Sequence, residues 1–222
     1  MEHFGDLRRF RQCGSFLYGA LRAAGAGPST APVALVTAMA VLAGCAGGVP
    51  TRFYSLEPVP PTAVLKGPYS GPAVQLRAVH IPAAMDRMEI LRELAPGQSQ
   101  VRESDHWAAP LGQAARQALT EDLLARLPPG IVIFPNIPRP AGAAELSVDI
   151  LAFRVTGGMA VMDVSWNLDV PSETSHAPGG TQQLHLRMAA GSDGAADTAQ
   201  AFSALLAQLA DRIAFALTPP GS

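Results

Sequence analysis

The sequence predicts an α+β domain in two layers, a mixed or antiparallel sheet of about six strands with two amphipathic helices on one face. Three observations predict it. Leu111 to Leu127 and Asp197 to Leu217 each carry apolar residues at helical spacing. Three successive segments between Leu146 and Met188 carry the alternation of half-buried strands. Shorter apolar runs, cut by proline and glycine, fill the region before the first helix.

Taken in order, Phe53-Tyr54-Ser55-Leu56 forms a first short strand, closed by Pro58, Pro60 and Pro61. Residues 58 to 72 hold five prolines and two glycines and make a loop. Val74 to Ile81 alternates partly and ends as a strand at Pro82. Met88 to Leu94 and Ser99 to Glu103 flank the turn Ala95-Pro96-Gly97-Gln98 and pair as a hairpin. Pro110 suits a first helical turn, where its missing N–H is not needed. Leu111, Ala115, Ala118, Leu119, Leu123 and Leu127 then share one face, with Asp122 and Arg126 an i,i+4 pair. Pro128, Pro129 and Gly130 stop this helix, and Ile131 to Phe134 is expected as an interior strand.

Leu146, Val148 and Ile150 begin the next strand, but the phase then shifts to Leu151, Phe153 and Val155. That shift requires either a bulge or burial on both faces. Gly157-Gly158 forms the turn into Met162, Val164, Trp166, Leu168 and Val170, the most regular half-buried strand of the chain. A polar loop from Pro171 to Thr181 leads to Leu184, Leu186 and Met188, completing an antiparallel meander with one wet face. The last helix aligns Phe202, Leu205, Leu206, Leu209, Ile213 and Leu217.

The N-terminus has a different character. Arg8, Arg9, Arg11 and Arg22 precede a stretch from Ala23 to Thr51 with no charged residue, in which Ala31 to Gly44 is a short apolar run. This is the pattern of a secretory signal, and Pro28 and Pro32 leave too little helix for a membrane span of about 20 residues. The run ends at Leu42-Ala43-Gly44-Cys45, which resembles the bacterial lipobox. Its small residues let the chain enter a peptidase extended, and the Cys45 thiol is the nucleophile that takes a lipid. Residues 1–44 are therefore expected to be a lipoprotein signal peptide, 45–52 a lipidated tether and 53–218 the folded domain. Ala46 stands where an aspartate would retain the protein at the inner membrane, so the expected location is the periplasmic face of the outer membrane.

Composition excludes other classes. Of 222 residues, 48% are apolar, and the net charge is −2. Removing residues 1–44 lowers the basic count from 16 to 12 and the acidic count from 18 to 16, leaving −4. Without a dense basic cluster, no nucleic-acid partner is expected. Cys13 and Cys45 both precede the domain, which rules out a disulfide framework or a cysteine metal site within it. The five histidines show no metal-ligand spacing, and no Gly-x-Ser-x-Gly elbow or phosphate-binding glycine loop is present. The expectation is no catalytic residue, no cofactor and no metal.

Four residues are candidates for partner contact. His106 and Trp107 stand just before the first helix, where the tryptophan is either an exposed interface anchor or a plug in the core. Asp86 and Arg87 follow Pro82 in an irregular segment, as a loop ion pair or as a contact point.

The order of these pieces resembles the PqiC-type auxiliary lipoproteins of ABC transport systems. The matching segments are the lipobox at Cys45, Phe53-Tyr54-Ser55-Leu56, and Val79-His80-Ile81-Pro82 with Met85-Asp86-Arg87 and Ile90. They continue with His106-Trp107-Ala108-Ala109-Pro110-Leu111 ahead of Leu119, Asp122 and Leu123. Leu146-Ser147-Val148-Asp149-Ile150 with Phe153, and the Trp166 strand, complete the series. The resemblance implies a non-enzymatic lipoprotein that works with an inner-membrane ABC transporter or permease and a periplasmic MCE-domain protein. Such systems are associated with lipid traffic and envelope integrity, and the resemblance implies docking at the far end of that conduit as a ring-like homo-oligomer. The alternative is an outer-membrane lipoprotein that itself binds a lipid or other hydrophobic ligand.

Overall fold

The structure is a computed structural model and describes residues 49–61, 69, 71–95, 97–171 and 181–218. The signal segment 1–44, Cys45 and residues 46–48 of the tether lie outside the described residues. So do most of the proline-rich loop before Val74, Pro96 of the hairpin turn and residues 172–180 of the polar loop.

From residue 50 onward the chain forms one compact unit. Its strands are β1 (Arg52–Tyr54), β2 (Val74–His80), β3 (Glu89–Ala95), β4 (Gln98–Trp107), β5 (Val132–Ile133), β6 (Ala144–Thr156), β7 (Met159–Asp169) and β8 (Gln182–Ala189). The helices are α1 (Leu111–Arg126) and α2 (Ala195–Leu217). The α+β class holds, but the strands form two mixed sheets rather than one. The larger has the order β5-β2-β6-β7-β8, with β5, β2 and β6 parallel and β6-β7-β8 antiparallel. The smaller has the order β1-β4-β3, with β1 parallel to β4.

The second sheet exists because β4 runs four residues beyond the expected hairpin. Its end, Asp105 to Trp107, pairs with Arg52 to Tyr54, a partner distant in sequence. The run Ile131 to Phe134 also departs from expectation. β5 has only two residues and lies at the sheet edge beside β2, because Pro135 cannot donate to a ladder and a turn carries Phe134 into solvent.

The phase shift in β6 is a bulge. Ile150 opposes Val164 and Ala152 opposes Asp163, so Leu151 is the extra, exposed residue. Beyond it Phe153 opposes Met162 and Val155 opposes Ala160, on the same face as Ile150. Gly157 and Gly158, both at positive φ, make the two-residue turn from Thr156 to Met159. The bulge therefore keeps the apolar set of β6 on the core side along all 13 residues.

α1 and α2 pack on each other, α1 against β2 and β5, and α2 against β7 and β8. All six residues of the α2 stripe are buried, as are the α1 residues Leu111, Ala115, Ala118, Leu119 and Leu123. Phe202 is at the centre, stacked on Phe153 at 4.1 Å and edge-on to Trp107 at 6.3 Å. The segment after β1 is fastened to both helices: Glu57 N–H donates to Ser203 Oγ at 3.0 Å and Val59 N–H to Asp122 Oδ1 at 2.9 Å.

The Asp122–Arg126 pair is an interior network rather than a helix-surface contact. Arg126, 2% exposed, bonds Asp122 Oδ1 at 3.1 Å and reaches across to Asp211 Oδ1 of α2 at 2.6 Å. Asp122 Oδ2 is buried without a partner among the described residues. Burial pushes this carboxyl up to about 6, against the opposing pull of the Val59 amide and Arg126.

Candidate functional site

The four sequence candidates fall around one end of α1. Asp86 follows a turn in which the Met85 and Asp86 amides both donate to Pro82 O. Its Oδ1 accepts the Gly112 N–H at 3.0 Å. The start of α1 has no acidic residue in its first turn and Pro110 as an uncapped N-cap, so Asp86 supplies from another segment the cap that the helix sequence lacks. Arg87 donates to Glu89 Oε2 at 3.0 Å and holds that carboxyl below the usual range. Asp86 and Arg87 are thus neighbours with separate partners, and the pair is not bonded to itself.

Trp107 is 3% exposed, its ring against Phe202 in the core. Its position is that of the core plug. His106, the adjacent strand residue, instead lies against the exposed Phe53 of β1, ring centres 5.9 Å apart. His106 Nδ1 is buried and has no partner among the described residues.

A cavity of about 310 Å³ opens beside this group, between β3, the bulged half of β6 and the start of α1. Met85, Ile90, Trp107, Leu111 and Phe153 are among its walls, and Leu151 stands at the bulge. The ladder between β2 and β6 ends at His80–Asp149, so the following residues of β6 face the cavity rather than a strand. Glu93 of β3 accepts from Thr156 Oγ1 at 3.2 Å and lies 4.0 Å from Arg154, which joins the two sheets at one side of the opening. The walls are largely apolar, and the charged residues among them, Glu89, Glu93 and Arg154, have ionic partners, so the space suits a mainly apolar guest of modest size. Sequence reasoning singled out Trp107 and Met85 but missed the cavity. Its signal was the phase break at Leu151, which marks where β6 leaves its neighbour.

Among the described residues, no three acidic or histidine side chains converge to hold a metal ion. No described helix is long and apolar enough to cross a membrane.

The family description "ABC-type transport auxiliary lipoprotein component" matches residues 54–214, from the end of β1 to the last turn of α2. The chain belongs to this family. Two crystal structures share the fold of this auxiliary lipoprotein. One, of an uncharacterized protein, is 20% identical, with a TM-score of 0.61 over 75% of this chain and 97% of the other. The second, a Xanthomonas campestris protein of a family known as DUF330, is 16% identical, with a TM-score of 0.55 over 75% and 94%. At these identities the likeness is one of fold. No curated protein matches the sequence.

Proposed function

We propose that this lipoprotein is a non-enzymatic accessory of an MCE-type envelope lipid transport system. It is anchored through lipid on Cys45 to the periplasmic face of the outer membrane, and it docks the periplasmic conduit that an inner-membrane ABC transporter or permease feeds. The observation that carries this reading is the family match across nearly the whole folded unit, directly behind a lipobox. Neighbouring copies in a homo-oligomer would present the Asp86–Arg87 segment and the Phe53–His106 face to partners, while Trp107 acts by positioning β4 on α2.

Two measurements test it. A C-terminally tagged protein, purified from envelopes in mild detergent, is expected to bring an MCE-domain protein with it; recovery alone or with unrelated proteins rejects the assignment. Cys45→Ala is expected to abolish palmitate incorporation, and unchanged labelling would remove the anchor from the proposal.

The cavity beside Trp107 favours a second reading, in which the domain itself holds an apolar ligand. Lipid extracted from the purified protein in stoichiometric amount supports direct carriage, whereas lipid-free protein that retains its partners supports docking alone.

A further inference from the structure

The turn after β5 is built in a way that packing alone does not require. Phe134 and Ile137 are 54% and 51% exposed, on a segment, Phe134-Pro135-Asn136-Ile137-Pro138-Arg139-Pro140, stiffened by three prolines. Beneath it the buried Gln75 carboxamide donates to both Phe134 O at 3.0 Å and Ile137 O at 2.7 Å. Both N–H groups of that side chain are therefore used to fix the backbone that displays two apolar side chains to solvent.

The surroundings are cationic. Arg77, on the same strand as Gln75, and Arg139 share a single carboxylate, Glu145, at 2.6 and 3.3 Å. Arg116 lines the groove between α1 and the turn, beside Phe134 and Pro135, and among the described residues its guanidinium donates to the Arg77 carbonyl, at 3.4 Å. Glu121 lies in the same groove, bonded to Gln117. Three arginines thus face two carboxylates at this place, on a chain whose net charge is −2.

We propose that this clamped tip rests on an anionic phospholipid surface, with Phe134 and Ile137 entering the interface and Arg77, Arg116 and Arg139 meeting the headgroups. Apolar side chains beside basic ones are the chemistry of interfacial attachment. The proposal uses the lipid anchor only to supply a bilayer within reach. From Cys45 to the start of β1 at Arg52, an extended chain spans at most about 25 Å, so the domain stays at the membrane. The tip would then set its orientation there rather than its affinity.

The two native tryptophans are buried, at 3% and 2% exposure, so a tryptophan placed on the tip reports alone on lipid contact. The full-length Phe134→Trp protein is mixed with vesicles of equimolar dibrominated phosphatidylcholine and phosphatidylglycerol. The expected result is blue-shifted emission quenched well beyond that of the unsubstituted protein, and weaker quenching when phosphatidylglycerol is omitted. Arg77→Gln with Arg139→Gln should weaken the contact roughly fivefold per arginine, and added salt should act the same way. Emission that stays unquenched, or that is shielded only once a partner protein is added, overturns the proposal. Flotation of the same samples reports the Cys45 anchor separately, so a missing anchor and an unburied tip are distinct results.

Discussion

The interior carboxylate at Asp122 makes a prediction whose sign and size follow from its surroundings. One oxygen takes the Val59 amide and Arg126, and the other is buried without a donor among the described residues. Desolvation raises the carboxyl from 3.8 to about 6. A raised pKa means that the folded state binds the proton more tightly than the unfolded chain. The resulting stabilisation is fully present below about pH 4 and is lost as pH rises through about 6, a loss of about 3 kcal/mol for a two-unit shift. Asp122→Asn keeps the Oδ1 acceptor and removes the titration, while Asp211 continues to hold Arg126 at 2.6 Å. Denaturant unfolding of both proteins at pH 4, 5, 6 and 7 gives a difference in which other titrating groups cancel. Wild type should lose about 2.5 kcal/mol relative to the variant between pH 4 and 7, or about 5–10 °C in melting temperature for a domain of this size. A pH-independent difference would mean that Asp122 titrates as an ordinary carboxylate. A difference of opposite slope would mean that Arg126 and the Val59 amide outweigh desolvation.

Other parts of the fold give equally direct tests. Phe202→Ala removes the ring between Trp107 and Phe153 and should cost about 3–5 kcal/mol by calorimetry or denaturant unfolding; a loss under about 1 kcal/mol would contradict its central place. Asp86→Ala should lower stability by about 1 kcal/mol, and Asp86→Asn should restore most of it, since an amide oxygen can still accept the Gly112 N–H. Deleting Leu151 leaves Phe153 opposite Met162, so the protein should still fold. Deleting Leu151 and Ala152 together turns Phe153 and Val155 to the wet face and should abolish cooperative melting; equal tolerance of both deletions would refute the bulge.

The parts legible in the sequence are those whose pattern is local. The stripe from Phe202 to Leu217 and the alternation from Met162 to Leu168 are written in spacings of a few residues, and both took their expected places. The division into two sheets was not legible, because it depends on Arg52 to Tyr54 finding Asp105 to Trp107 some fifty residues away. Trp107 illustrates the same limit at one residue. Its position before a helix suits either an exposed anchor or a core plug, and only its neighbour Phe202, from the other end of the chain, decides between them. Asp86 reads as a loop residue until the bare start of α1 is seen beside it.

Two places where local reading fell short coincide with the surfaces on which the proposed membrane contact and the proposed ligand rest. A run as apolar as Ile131 to Phe134 belongs, by pattern, inside a sheet, yet it ends in solvent because Pro135 cuts the ladder and Gln75 holds the turn outward. The phase break at Leu151 costs β6 a regular ladder and leaves an opening beside Trp107 and Phe153. Packing would favour an apolar residue at position 75 and an unbroken alternation along β6. A chain that departs from such local consistency does so most often at functional or strained sites. Here one departure lies at a proline-stiffened apolar tip beside three arginines and the other at a largely apolar cavity, the two surfaces on which the proposed membrane contact and the proposed apolar ligand depend.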